Sequence, residues 1–232
     1  MILAAGMGSR LKDLTLDKPK ALVEYGGKTL LEIIIRRLIH HGFRDIIINT
    51  HHFSNQIIKF IESKRNFGVN IAFSNETNEL LETGGGIKNA MWFFENDPVL
   101  IHNVDVYTDL NLEEIYNFNS HNQHIATFAV SKRSTTRPFL MNSGGMLCGW
   151  ENLTTGAKII TRDSSDLERI AYSCIAILSP EFIKMMPTGK YSLTDAVLEI
   201  SKTKDIYLFP HEGTWKDMGR RESYDPQLNN SR

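Results

Sequence analysis

Met1-Ile2-Leu3-Ala4-Ala5-Gly6-Met7-Gly8-Ser9-Arg10, running on to Lys18-Pro19-Lys20-Ala21-Leu22, decides the fold. The apolar run Met1–Ala5 predicts a buried strand that stops abruptly at Gly6. Gly6 and Gly8 let the backbone turn tightly and approach a ligand with no Cβ in the way. Successive N–H groups in such a loop make a nest for an anion. Arg10 can fork onto phosphate oxygens, and Lys20 adds a second cation. The stretch therefore reads as a loop for a nucleoside triphosphate, against the plainer reading of Gly-x-Gly as a tight turn. Two other phosphate loops do not fit. Leu11 stands where a dinucleotide fingerprint needs its third glycine, and no Gly-x-x-x-x-Gly-Lys-Ser/Thr follows.

Downstream, helical and strand periods alternate. Thr29 to His41 sets Leu31, Ile34, Ile35 and Leu38 on one helical face, with Arg36, Arg37 and His40 pointing away and Gly42 closing the helix. Ile46-Ile47-Ile48, within Arg44–Asn49, is the continuous β-branched run of a doubly covered parallel strand. Ser54 caps a further helix to about Ser63, and Val69 to Phe73 is a third strand. This order implies right-handed crossovers and a parallel sheet whose ligand lies at the carboxyl ends of the strands. Pro98 to His102 is a fourth strand. From Gln123 the pattern becomes β-rich: His124–Ser131, a hairpin over Phe139–Gly149, Arg169–Leu178 and Asp205–Phe209, with helices led by Pro180 and Ser192. The expected fold is α/β: a three-layer α/β/α, Rossmann-like arrangement with a mostly parallel central sheet and a small β-rich lobe. It forms a single domain over 1–224, with a loose tail over 225–232.

Three further stretches carry candidate chemistry. Leu80-Leu81-Glu82-Thr83-Gly84-Gly85-Gly86 places three glycines at the start of a helix, a costly choice in backbone entropy. Either the backbone passes close to a flat base or ribose there, or the glycines serve a structural turn. Asn103-Val104-Asp105-Val106 puts a carboxylate at the end of a buried strand beside the opening loop, where a magnesium ligand belongs. Asp109 is its rival, but Asn111 and Glu114 are spaced as a capping box and make that region a helix start. Gly213-Thr214-Trp215-Lys216-Asp217-Met218-Gly219 brings a second aspartate near the end of the chain. His102 reads as a packed strand-end histidine.

Taken together, these segments resemble the sugar-1-phosphate nucleotidyltransferases, enzymes that join an NTP to a sugar 1-phosphate and release pyrophosphate. The Leu-Glu-Thr-Gly-Gly-Gly form is similar to that of the N-acetylmuramate 1-phosphate uridylyltransferases and of relatives labelled mannose-1-phosphate guanylyltransferases. The resemblance implies that Leu3, Ala4, Ala5, Gly6, Gly8, Arg10, Lys20, Glu82, Thr83, Gly84, Gly85 and Asn103 bind the nucleotide. It implies that Arg10, Lys20, Asp105 and Asp217 are catalytic, that Asp105 and Asp217 hold Mg²⁺, and that Val106, Ser173 and Cys174 touch the acceptor. Two departures stand out: Val104 replaces the glycine that usually precedes the aspartate, and the Glu-Lys-Pro segment that grips the sugar phosphate is missing, with Trp150-Glu151-Asn152 roughly in its place. Lys132, Arg133 and Arg137 form a basic cluster that is either a solvated loop or an acceptor contact.

Composition limits the alternatives. Length (232 residues), an apolar share of 41% and a net charge of −1 fit a soluble globular protein with no nucleic-acid partner. Cys148 and Cys174 are too few for a disulfide framework or zinc site. No segment reads as a membrane span or signal peptide, so the expectation is a cytoplasmic monomer or small homo-oligomer acting on an NTP and a sugar 1-phosphate. A phosphocholine cytidylyltransferase-like enzyme, a nucleotide-binding regulatory module and an NAD-dependent oxidoreductase stay open as other readings. Neither the base nor the sugar is fixed by these residues.

Overall fold

The computed structural model describes residues 1–76, 79–94 and 96–224, with the side chain of Lys12 left out; the expected tail over 225–232 lies outside the described residues. The chain divides into two compact units: Met1–Leu80 with His102–Asp109 and Thr214 onward, and Leu81–Ile101 with Leu110–Gly213.

In chain order, the first unit begins with β1 (Ile2–Leu3), then a short hairpin of β2 (Glu24–Tyr25) and β3 (Lys28–Thr29). Helix α1 (Leu30–His40) is capped by the Thr29 hydroxyl, which accepts from the Glu32 N–H at 3.1 Å, and it buries Leu31, Ile34, Ile35 and Leu38 as its spacing predicts. Arg37 departs from that reading: its guanidinium turns in and donates to the Thr108 carbonyl at 2.5 Å. Strand β4 (Asp45–Thr50) is followed by α2 (Ser54–Ser63) and β5 (Asn70–Asn75). Ser54 is not the cap of α2. Phe53, in the left-handed region at φ 61°, holds that place, while the Ser54 hydroxyl pairs with that of Thr50 at 2.9 Å.

Helix α3 (Glu82–Asn89) belongs to the second unit and contains the three glycines. Strand β6 (Val99–Asn103) then brings the chain back, followed by β7 (Val106–Thr108). Within the first unit β1 pairs in parallel with β4 on one side and with β6 on the other, and β4 pairs in parallel with β5. Strand order therefore reverses at β1, the point in a doubly wound sheet where ligands bind at the carboxyl ends.

The second unit resumes with α4 (Leu112–His121), capped by the Asn111 carboxamide. The capping box is incomplete there, because the Glu114 carboxylate accepts from the Asn111 side chain. Five β-strands follow: β8 (Ala126–Ser131), β9 (Phe139–Met141), β10 (Leu147–Glu151), β11 (Lys158–Ile160) and β12 (Glu168–Leu178). Their pairings, β11 on β10, β10 on β9, and β12 on both β9 and β8, are all antiparallel. Then come α5 (Pro180–Met185), capped by Ser179, and α6 (Leu193–Ser201), where Ser192 and Asp195 complete a capping box. Strand β13 (Tyr207–Pro210) runs parallel to β8. Finally β14 (Trp215–Asp217) returns to the first unit and pairs antiparallel with β7. The fold is thus mixed α/β with a Rossmann-like parallel sheet and a β-rich portion, as the alternating pattern predicts. No helix among the described residues is long and apolar enough to cross a membrane.

Candidate active site

The opening loop is built from β1 outward. Leu3 sits between Asn49 of β4 and Asn103 of β6 in register, and Leu3, Ala4 and Ala5 are buried. Beyond Leu3 the next two amides turn to a side chain: the Asn49 Oδ1 accepts from Ala4 N–H at 2.6 Å and from Ala5 N–H at 3.3 Å. Gly6 emerges exposed, with the Lys20 ammonium 3.8 Å from where its Cβ would be. Gly8 is required on two counts. Its φ is +67°, and a Cβ there would come within 3.0 Å of the Lys20 Cβ and 3.1 Å of the Thr15 methyl. Its carbonyl accepts from Leu11 N–H at 2.8 Å and the Thr15 hydroxyl at 3.1 Å, which starts the 3₁₀ turn Ser9–Thr15 and projects Arg10 outward.

The two aspartates meet although 112 positions separate them in sequence. Pairing of β14 on β7 sets Asp217 opposite Val106, and the Met218 N–H donates to the Asp105 carbonyl at 2.7 Å. A Cβ on Gly219 would lie 2.7 Å from Asp105 Oδ2, 2.9 Å from Asp217 Oδ1 and 3.1 Å from an Arg10 Nη. The carboxylates therefore flank one small gap that exists because residue 219 has no side chain. Lys20 Nζ donates to Asp105 Oδ2 at 2.6 Å, both groups being largely buried. Asp217 is met by the Gly219 N–H at 2.9 Å, Arg220 at 3.0 Å and Arg10 at 3.5 Å. Two carboxylates and three cations leave the cluster one positive charge, suited to a polyanion. Burial first, then the charges of Asp105 and Asp217, pushes the neighbouring Tyr224 phenol far above its ordinary range; its hydroxyl donates to the Met218 carbonyl.

Val104 does no damage to this geometry. It is buried, its N–H donates to the Leu3 carbonyl at 3.1 Å, and its φ is not positive, so the freedom of a glycine is not used there. Asp109 is occupied otherwise: both of its oxygens accept from the Thr214 N–H, at 2.9 and 3.0 Å, and that bond holds its carboxyl below the usual range. Two carboxylates beside this glycine loop have the chemistry of a site for a divalent cation that completes its shell with ligand oxygens and water. Among the described residues no group of three or more His, Cys, Asp or Glu is placed to hold a metal alone.

The remaining predicted residues fall as follows. Asn103 ends β6, half-buried, and Val106 is buried at the start of β7. Glu82, Thr83, Gly84 and Gly85 lie in the second unit. Glu82 has a φ of 61°, and the Thr83 hydroxyl accepts from the Leu193 N–H at 2.8 Å. Gly84 and Gly85 both donate to the Tyr191 carbonyl. A Cβ on Gly84 would sit 2.3 Å from the Tyr191 ring, and one on Gly85 2.1 Å from the Gly189 carbonyl oxygen. Close packing against 189–192 thus accounts for glycine at both positions without a ligand. Ser173 is fully buried and shares a 2.8 Å hydrogen bond with His211 Nε2. Cys174 is half-buried at φ 59° in a bulge of β12, between the pairs Tyr172–Val130 and Ala176–Phe128. In the basic cluster, Lys132 pairs with Glu168 at 3.0 Å and Arg133 donates to the Tyr172 carbonyl at 2.6 Å.

The sequence reading assigns no site role to Asn49, Arg220 or Tyr224, and Gly219 enters it only as the glycine closing the Gly213–Gly219 stretch. For Asn49 the one available signal is a polar residue closing the apolar run Ile46–Ile48; the others depend on pairing between distant segments.

The N-acetylmuramate alpha-1-phosphate uridylyltransferase of Caulobacter vibrioides is 27% identical over 98% of this chain and 92% of its own. The mannose-1-phosphate guanyltransferase of Yarrowia lipolytica is 26% identical over 97% of this chain; only 61% of that longer protein is covered. Among solved structures, HddC from Yersinia pseudotuberculosis complexed with GMP-PN superposes with a TM-score of 0.77, at 24% identity over 96% of this chain and 94% of that one, a likeness of fold. The family model described as nucleotidyl transferase matches residues 1–139, more than half of the sequence, and the chain therefore belongs to the nucleotidyl transferase family.

Proposed function

We propose that this protein transfers a nucleotidyl group from an NTP, UTP or GTP, to a sugar 1-phosphate, giving an NDP-sugar and pyrophosphate. The observation that carries the reading is the gap at Gly219 between Asp105 and Asp217, edged by Lys20 and Arg10 at the carboxyl end of β1. The uridylyl and guanyl transfer named for the relatives supports the choice of bases.

A phosphate oxygen of the sugar 1-phosphate attacks the α-phosphorus in line, and the bond to the β-phosphate bridging oxygen breaks as pyrophosphate leaves. No nucleophilic side chain is needed; positioning and charge stabilisation do the work. Asp105 and Asp217 would hold Mg²⁺, which would supply Lewis-acid neutralisation of the developing phosphate charge. Lys20, which balances Asp105 in the free protein, turns to the α-phosphate, while Arg10 and the Gly6–Gly8 amides take the β- and γ-phosphates. The proposed substrates, an NTP and a sugar 1-phosphate, favour a cytoplasmic enzyme.

Pyrophosphate release with Mg²⁺ should be measured across four NTPs and a panel of mannose, glucose, N-acetylglucosamine and N-acetylmuramate 1-phosphates, with phosphocholine alongside. One UTP or GTP pair should turn over, and Asp105→Ala should lose that turnover while keeping its thermal unfolding. Normal turnover by Asp105→Ala would remove the metal assignment; NTP binding with no turnover on any acceptor would point to a regulatory module.

A further inference from the structure

We infer that Asn49 and Glu76 form a positioning pair that fixes how the chain enters the opening loop, and so control nucleotide affinity without touching the nucleotide. The inference rests on that loop being the triphosphate site. Strand β1 is paired in register over Ile2–Leu3, flanked by β4 and β6. The two amides that follow, Ala4 and Ala5, are buried where an unpaired N–H is costly. The side chain of Asn49, in register with Leu3, replaces the missing strand by accepting from both.

The orientation of that carboxamide is set from its other end. Its Nδ2 donates to Glu76 Oε1 at 2.7 Å. A carboxylate oxygen opposite the amino group leaves only the carbonyl end for the two backbone donors, so the flip is dictated by the partners. Glu76 is itself tied down: its N–H donates to the Thr50 carbonyl at 2.8 Å, and its carbonyl meets His51 Nδ1 at 2.6 Å. Asn49 and Glu76 are 2% and 3% exposed, so neither can reach a ligand in solution. One residue beyond Ala5, Gly6 passes under the Lys20 ammonium. A shift in the Ala4–Ala5 trace therefore moves the loop amides relative to Lys20, and displacements of about 1 Å at a phosphate site can cost about 10²-fold in rate.

The test compares wild type, Asn49→Ala, Asn49→Asp and the double variant Asn49→Asp with Glu76→Gln. Isothermal titration with UTP and with GTP in the presence of Mg²⁺ gives nucleotide affinity; KM for the acceptor and thermal unfolding are measured in parallel. Asn49→Ala should weaken binding of the preferred nucleotide by about tenfold or more, the cost of stranding buried donors, with the acceptor KM unchanged. Asn49→Asp should be worse, because two carboxylates then face each other. The double variant should recover most of the wild-type affinity: the new carboxylate accepts from both amides while the new carboxamide at 76 donates to it. If Asn49→Ala does not fold, the double variant decides alone. Stable double-variant protein that binds nucleotide as poorly as Asn49→Asp would overturn the inference, as would wild-type affinity in Asn49→Ala. Wild-type protein that binds neither UTP nor GTP would instead remove the triphosphate reading and this role with it.

Discussion

A side chain at position 219 would strike both candidate metal ligands at once. A methyl group there would lie 2.7 Å from Asp105 Oδ2 and 2.9 Å from Asp217 Oδ1, closer than carbon and oxygen approach without contact repulsion. The backbone itself raises no objection, since Gly219 is not among the positive-φ glycines. Gly219→Ala therefore isolates one variable, the space between the carboxylates. The variant should fold with near wild-type thermal unfolding, and kcat/KM should fall about 10²-fold, as expected when reacting groups are misplaced by a fraction of their contact distance. Unchanged kcat/KM would show that the gap holds nothing the reaction uses. The same residue illustrates what could be read from sequence. A Trp-x-Asp-x-Gly segment points to Asp217, but only the pairing of β14 on β7 reveals that the glycine is there for Asp105 as well.

At the scale of elements, α3 sets propensity against packing. Glycine inside a helix is worse than alanine by about 0.5–1 kcal/mol, so Gly85→Ala ought to stabilise an isolated helix. In this fold the new methyl would sit 2.1 Å from the Gly189 carbonyl oxygen and 3.0 Å from the Leu81 Cβ, and backbone cannot swing aside as a side chain can. Overpacking of that kind costs about 1–3 kcal/mol. Thermal unfolding should therefore drop by several degrees, at roughly 2–4 °C per kcal/mol for a chain of this size. A rise in midpoint would mean that propensity wins and that the glycines are kept for another reason. Elements with a strong local signal were legible: α1 from its apolar face and Thr29 cap, β4 from Ile46–Ile48, and α6 from Ser192 and Asp195. What failed was set by distant neighbours. Phe53 takes the left-handed cap of α2 that the sequence assigns to Ser54, and the β12 bulge puts Cys174 at φ 59° in the middle of the strand Glu168–Leu178. Local sequence carries no trace of either, because each conformation is imposed by a partner strand or loop.

For the whole molecule, acid stability turns on a residue that the reaction does not use. His102 lies fully buried on β6 beside β1, with Nδ1 on the Asn103 carbonyl at 2.7 Å and Nε2 without a hydrogen-bond partner among the described residues. Since Nδ1 faces an acceptor, it carries the proton of the neutral ring. Burial pushes the imidazole down to about 3, and the charge of Arg37 works in the same direction. The folded protein thus keeps His102 neutral where the unfolded chain, with its ordinary value near 6.5, binds a proton. Stability rises with pH wherever the unfolded state binds more protons, so this contribution is fully present above about pH 6.5 and is lost as pH falls toward 3. The loss amounts to about 1.4 kcal/mol per pH unit across that window. Other groups titrate in the same range, but they do so equally in a variant without the imidazole. Wild type and His102→Gln should therefore be unfolded in denaturant at pH 7, 6, 5 and 4, and their stabilities subtracted. The difference should be flat from pH 7 to about 6.5 and then move against wild type by about 1.4 kcal/mol per unit. Parallel curves would mean that His102 takes up a proton inside the folded sheet, and that a polar partner for its Nε2 forms there in acid.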